Sequence, residues 1–151
     1  MVLEQNKSIV LEFYKAINQE NFEQAKQMLA PNMVAQLMSG AVIRGGNNFV
    51  EHLQMARSTF PDVYYTIEDV LAEDNTVVSY GTFMGTQHGE ILGIAPMGNQ
   101  VKFSIVQIDQ LANGKIVEHR TIGDSLTMVQ QLRGENLVWL SDANSSSVSP
   151  E

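Results

Sequence analysis

The spacing of apolar residues changes once along this chain, at Pro61, and the change divides it into a helical part and a sheet part. Val10, Phe13, Tyr14 and Ile17 recur at three and four residues and predict a first helix with one apolar stripe. Asn21 followed by Gln24 reads as a capping box opening a second helix, which carries Phe22, Ala25 and Leu29 and closes at Pro31. A short apolar strand from Met33 to Met38 follows. Gly45 and Gly46 interrupt the chain before a third helix, where Phe49, Leu53, Ala56 and Phe60 share a face. Beyond Pro61 the period is two. Strands are expected near Val63–Glu73, Thr76–His88, Val101–Ala112 and Lys115–Gly123, with Asp74-Asn75 and Asn113-Gly114 as hairpin turns. A final helix carries Leu126, Val129 and Leu132 and stops at Gly134. The pattern is that of one α+β domain over residues 1–140, with N-terminal helices packed on a curved antiparallel sheet. The polar stretch 141–151 reads as a disordered tail. Leu137, Val138, Trp139 and Leu140 are expected to cover the core or to meet another subunit.

The Asn113-Gly114 turn allows a register to be written. A two-residue loop sets Ala112 opposite Lys115, so Gln107 should face Arg120, Ile105 should face Ile122, and Phe103 should face Asp124. One side of the sheet then carries Phe103, Ile105, Gln107, Asp109, Glu118, Arg120 and Asp124, which is the mixture expected of a pocket wall. The other side, with Ser104, Val106, Ile108, His119 and Thr121, is smoother and suits an outer surface or a subunit contact. A β-bulge in either strand would reverse the assignment beyond it.

Composition narrows the functional classes. The chain has 151 residues, 17 acidic against 9 basic, and a net charge of −8, which disfavours nucleic acid and anionic membranes as partners. It has no cysteine, so disulfides, thiolate metal sites and cysteine nucleophiles are excluded. No secretory signal or membrane-length apolar run is visible, so a cytoplasmic location is the expectation. The three histidines sit on separate elements without metal-ligand spacing, and neither a phosphate loop nor a G-x-S-x-G elbow is present.

Asp124 is the foremost candidate for chemistry. A carboxylate at the end of the last strand, against Phe103, Ile105 and Ile122, can act as general acid or base. Immediately before a helix it can equally be the N-cap, which would lower its pKa instead. His88, at a strand end, is a second candidate for proton transfer or ligand orientation, or simply exposed. Arg120 can meet a substrate anion or pair with Asp109 and Glu118. His52 and His119 read as structural or solvated. The connection Gly89–Gln100, with apolar Ile91, Leu92, Ile94 and Met97, reads as a lip over a cavity or as a dimer contact.

The run GTQHGEILGIAPMGNQVKFSIVQIDQLANGKIVEHRTIGDSLTMVQQL, Gly85 to Leu132, resembles the SnoaL-like polyketide cyclase (ester cyclase) family, as does FPDVYYTIEDVLAEDNTVV, Phe60 to Val78. The G-I-x-P-x-G loop, the NGKIVEH turn and the following Asp carry the likeness, which extends over roughly residues 5 to 133. The resemblance implies an NTF2-like cone round an apolar cavity, a homodimer formed through the sheet, and no cofactor or metal. It implies intramolecular aldol-type ring closure of a polyketide-like carbonyl compound, with Asp124 as the acid/base. Gln107, Asp109, Arg120, His88, Phe103 and Tyr14 form the expected substrate-binding set for a small apolar or carbonyl-containing ligand. Two positions depart from the family pattern. Arg120 stands where an aromatic residue is common, and Gln87-His88 where His-Thr is common; a guanidinium in the cavity would favour a more polar or anionic ligand. The competing functions are an isomerase or hydrolase on the same scaffold, and a non-catalytic dimeric module binding a small ligand or a protein.

Overall fold

A computed structural model describes residues 2–135, and the structural statements below concern these. The Leu137–Leu140 segment and the polar tail lie outside them. Chain order is α1 (Val2–Asn18), α2 (Phe22–Gln27), β1 (Leu29–Gln36), β2 (Val42–Arg44), α3 (Gly46–Thr59), β3 (Tyr64–Glu73), β4 (Thr76–Thr86), β5 (Gln100–Ala112), β6 (Lys115–Gly123) and α4 (Ser125–Leu132). The strands form one curved, unclosed sheet ordered β2-β1-β6-β5-β4-β3. The expected antiparallel meander β3-β4-β5-β6 is present. The sheet as a whole is mixed, because β1 joins β6 in parallel.

Local chemistry explains the element boundaries. Asn21 caps α2 by accepting from the Gln24 N–H at 3.2 Å, and its amide donates back to the Gln24 side chain at 3.0 Å. The helix is shorter than its apolar spacing predicts. It ends at Gln27, and Leu29 and Pro31 belong to β1. Pro31 has no N–H to give a neighbouring strand, and the β1–β6 register is broken between Leu29 and Val34. Gly45, at φ 95°, makes the left-handed entry to α3 that a side chain would resist. The β5–β6 turn has φ of 53° at Asn113 and 76° at Gly114, as a tight two-residue hairpin requires.

The helices lie in the concavity of the sheet. Val10, Phe13, Tyr14 and Ile17 of α1 pack with Phe49 and Val50 of α3 and with Met33, Ala35, Val77, Leu111 and Ile116 of the strands. A second cluster joins Phe60, Val63, Phe103 and Ile105 to Met128 and Leu132 of α4. No described helix is long and apolar enough to cross a membrane.

A candidate acid/base site in an apolar cavity

Between these two clusters the concave face stays open. A cavity of about 520 Å³ is walled by Phe13, Tyr14 and Ile17 from α1, by Phe49, His52, Leu53 and Ala56 from α3, and by Tyr65, Phe83, Phe103 and Ile105 from the sheet. Ile91 and Leu92 of the β4–β5 connection and Ser125 and Met128 of α4 form its rim. The connection is therefore a lip, as one of its two readings held. Gln87, fully buried, fixes it by donating to the carbonyls of Gly89 at 3.0 Å and Ile94 at 2.8 Å.

Period two holds along β5. Val101, Phe103, Ile105, Gln107, Asp109 and Leu111 all point inward. On β6 it fails. Leu111 pairs with Ile116 but Gln110 pairs with Glu118, so Val117 is an extra residue and the strand turns over beyond it. Gln107 consequently lies opposite Thr121, Asp109 opposite His119, and Ile108 opposite Arg120. The simple register would have driven Glu118 and Arg120 inward beside Asp109, burying three charges at a high desolvation cost. The bulge turns both outward and brings His119 and Thr121 in.

This changes the candidate set. Arg120 is half exposed and sits 3.7 Å from Glu118, a surface pair of little energetic weight. It is not a cavity cation, so the expectation of an anionic ligand loses its basis. His88 is exposed and absent from the cavity wall; its backbone N–H donates to the Thr59 carbonyl at 2.7 Å. Asp124 is placed at the N-cap of α4, accepting from the Thr127 hydroxyl at 2.6 Å and the Thr127 N–H at 3.1 Å. The hydroxyl bond, then the backbone bond, hold its carboxyl below the usual aspartate value. It is exposed and outside the cavity wall. Gln107, Phe103 and Tyr14 do line the cavity, and Asp109 lies directly behind it.

What the structure brings together is a hydrogen-bonded chain. Tyr14 Oη donates to Asp109 Oδ2 at 2.8 Å, and Asp109 Oδ1 lies 2.7 Å from His119 Nδ1. His119 Nε2 is 2.9 Å from Thr121 Oγ1. Asp109 is completely buried and His119 nearly so at 3% exposure, with the Phe49 ring 5.0 Å from the imidazole. Burial, and then the charge and hydrogen bond of Asp109, push the Tyr14 hydroxyl well up, so it stays a proton donor. A ring proton on Nδ1, donated to Asp109 Oδ1, would leave Nε2 to accept from the Thr121 hydroxyl at the cavity wall. His52, one helical turn beyond Phe49, lines the same cavity, and its pKa is lowered by burial and by His119. Burial likewise pushes the Tyr65 hydroxyl up to about 12.

The unbulged register puts His119 and Thr121 on the outer face, whereas both line the cavity. The signal that could have found them was the charge pair Glu118 and Arg120, which an unbulged β6 cannot keep in water. His52 reads as structural or solvated from the sequence because it falls off the Phe49, Leu53, Ala56, Phe60 stripe of α3, yet it lines the cavity.

The SnoaL-like polyketide cyclase model matches residues 8–132. The chain belongs to this family. IdmH from Streptomyces antibioticus, a proposed polyketide cyclase, superposes with a TM-score of 0.75 at 26% identity, covering 85% of this chain and 99% of its own. A proposed SnoaL-like polyketide cyclase from Jannaschia sp. CCS1 has a TM-score of 0.81 at 22% identity, covering 89% and 96%. An LEH-like epoxide hydrolase from M. tuberculosis shares the fold at 0.73 and 18% identity, covering 87% and 92%. A comparison with curated proteins gives no match. The NTF2-like fold of the SnoaL-like family is thus the fold of this chain.

The placement of Asp124 can be checked by stability. Asp124→Ala is expected to cost about 1 kcal/mol in chemical denaturation, the usual loss for an aspartate N-cap. No measurable loss would show that the carboxylate does not hold the helix end.

Proposed function

We propose that this SnoaL-like protein is a cofactor-independent acid/base enzyme acting on a small, largely apolar carbonyl compound, with His119 as the proton-transfer residue in place of Asp124. The observation that supports it is the buried Tyr14–Asp109–His119 chain ending at the wall of an aromatic cavity. In this reading Nε2 of His119 removes a proton from a carbon flanked by two carbonyls. The enolate attacks a second carbonyl of the same molecule, closing a ring by aldol addition. The imidazolium then returns its proton to the new alkoxide. Asp109 stabilises the imidazolium as it forms, and the substrate's own conjugation spreads the enolate charge, so one positioned base suffices. Gln107 on the cavity wall positions a substrate oxygen or hydroxyl.

The same proposal includes a homodimer. On the sheet face opposite the cavity, Tyr80 pairs with Val106 and Val106 with Ile122, giving an apolar row across three strands. Ile122 is 61% exposed and Tyr80 40% in the single chain. A second copy related by a two-fold axis would set this row against itself.

Two experiments test these statements. Deuterium exchange at the activated methylene of an aromatic β-keto ester in heavy water, followed by NMR, should exceed the buffer rate with the wild-type protein. His119→Asn should lower the enzymatic part about 10²–10⁴-fold, and Asp109→Asn should also lower it by releasing the ring from its tautomer. Exchange unaltered by His119→Asn would refute the assignment. Ile122→Lys should shift the sedimentation coefficient from dimer to monomer; a wild-type protein that sediments as a monomer would remove the dimer from the proposal.

A further inference from the structure

The Asp109–His119 pair has a third member that proton transfer alone does not use. Thr121 follows His119 by two residues on β6, so both side chains emerge on the concave face. Its Oγ1 lies 2.9 Å from Nε2, while Nδ1 lies 2.7 Å from Asp109 Oδ1. A hydroxyl bonded to an imidazole whose far nitrogen is oriented by a buried carboxylate is the arrangement that activates a nucleophile. Gln107 lies directly across from Thr121 in the β5–β6 register and lines the same cavity. Its side chain makes no hydrogen bond among the described residues, the buried Oε1 included, so the amide can turn its N–H to an oxygen bound beside Thr121.

We infer that Thr121, His119 and Asp109 form a nucleophilic triad, and that the site also transfers the acyl group of an apolar carboxylic ester to water through an ester on Thr121. The inference rests on His119 being the base of the site. In the first half-reaction Thr121 Oγ bonds to the ester carbonyl carbon as its proton passes to His119 Nε2. The carbonyl oxygen, now anionic, receives the Gln107 amide N–H. The carbon–oxygen bond to the leaving alcohol breaks, and that alcohol takes the proton from Nε2. In the second half-reaction water attacks the acyl carbon and gives its proton to Nε2. Thr121 Oγ then departs with that proton, leaving a carboxylic acid and the free enzyme. The aromatic walls favour an aryl or long alkyl acyl chain over acetate.

The test uses the full chain and para-nitrophenyl esters of butyrate and of phenylacetate. The wild-type protein is expected to release nitrophenol with a pre-steady-state burst, and mass spectrometry of the quenched protein should show one acyl group on the peptide containing Thr121. Thr121→Val, which keeps the side-chain shape, should abolish the burst and the adduct and lower turnover about 10²–10⁴-fold. Thr121→Ser should retain both. Wild-type turnover and no adduct in Thr121→Val would overturn the inference. If that variant is unaffected while His119→Asn is inactive, Thr121 is no nucleophile but His119 remains the base. If neither substitution changes turnover, the triad and the base assignment fall together.

Discussion

Asp109 is a carboxylate with no access to water, and its two oxygens are satisfied from two different parts of the chain. Tyr14 reaches it from α1 and His119 from β6, while β5 carries the carboxylate itself. A fully buried carboxyl needs both partners in place, and leaving one of its oxygens unsatisfied costs about 1–3 kcal/mol. The docking of the first helix onto the sheet and the orientation of the imidazole are thus fixed by one set of hydrogen bonds. Whatever chemistry the cavity performs depends on the same contacts that close the domain, which makes the site rigid where precision matters.

The second constraint is the extra residue Val117. By turning β6 over, it sends Glu118 and Arg120 to solvent and leaves an inner wall whose polar groups are His119, Thr121 and Gln107 among aromatic rings. The result is a largely apolar cavity with two imidazoles, His119 from β6 and His52 from α3, on its wall. That is suited to carbon acids and esters of apolar molecules, where desolvation strengthens each polar contact. A fold does not fix a function, so the residues of the site, not the cone, must carry the functional argument.

Much of this architecture was legible in the sequence because it is written locally. The α1 and α3 stripes, the Asn21 cap and the Asn113-Gly114 turn are each decided within a few residues, and strict alternation along β5 correctly grouped Phe103, Ile105, Gln107 and Asp109. The parallel β1–β6 pairing was not legible, since it joins segments distant in the chain, and only the first residues of β1, Leu29 to Pro31, read as the end of a helix. The β6 face was misassigned for the smallest possible reason, a single inserted residue, and with it went the placement of Arg120 and His119. Asp124 illustrates the remaining ambiguity. Its position before a helix fits either a cap or a catalytic carboxylate, and in the structure it accepts from Thr127, three residues on.

The central claim is that Asp109 holds His119 with its proton on Nδ1 and its base, Nε2, at the cavity wall. Nitrogen-15 NMR of protein labelled in histidine reads the tautomer directly, and His119→Asn identifies the resonance. At a pH where the ring is neutral, Nδ1 should show the shift of a protonated nitrogen and Nε2 that of an unprotonated one, with the preference lost in Asp109→Asn. A neutral His119 protonated on Nε2 in the wild-type protein would contradict the account, because neither proton abstraction nor activation of Thr121 is possible from that tautomer.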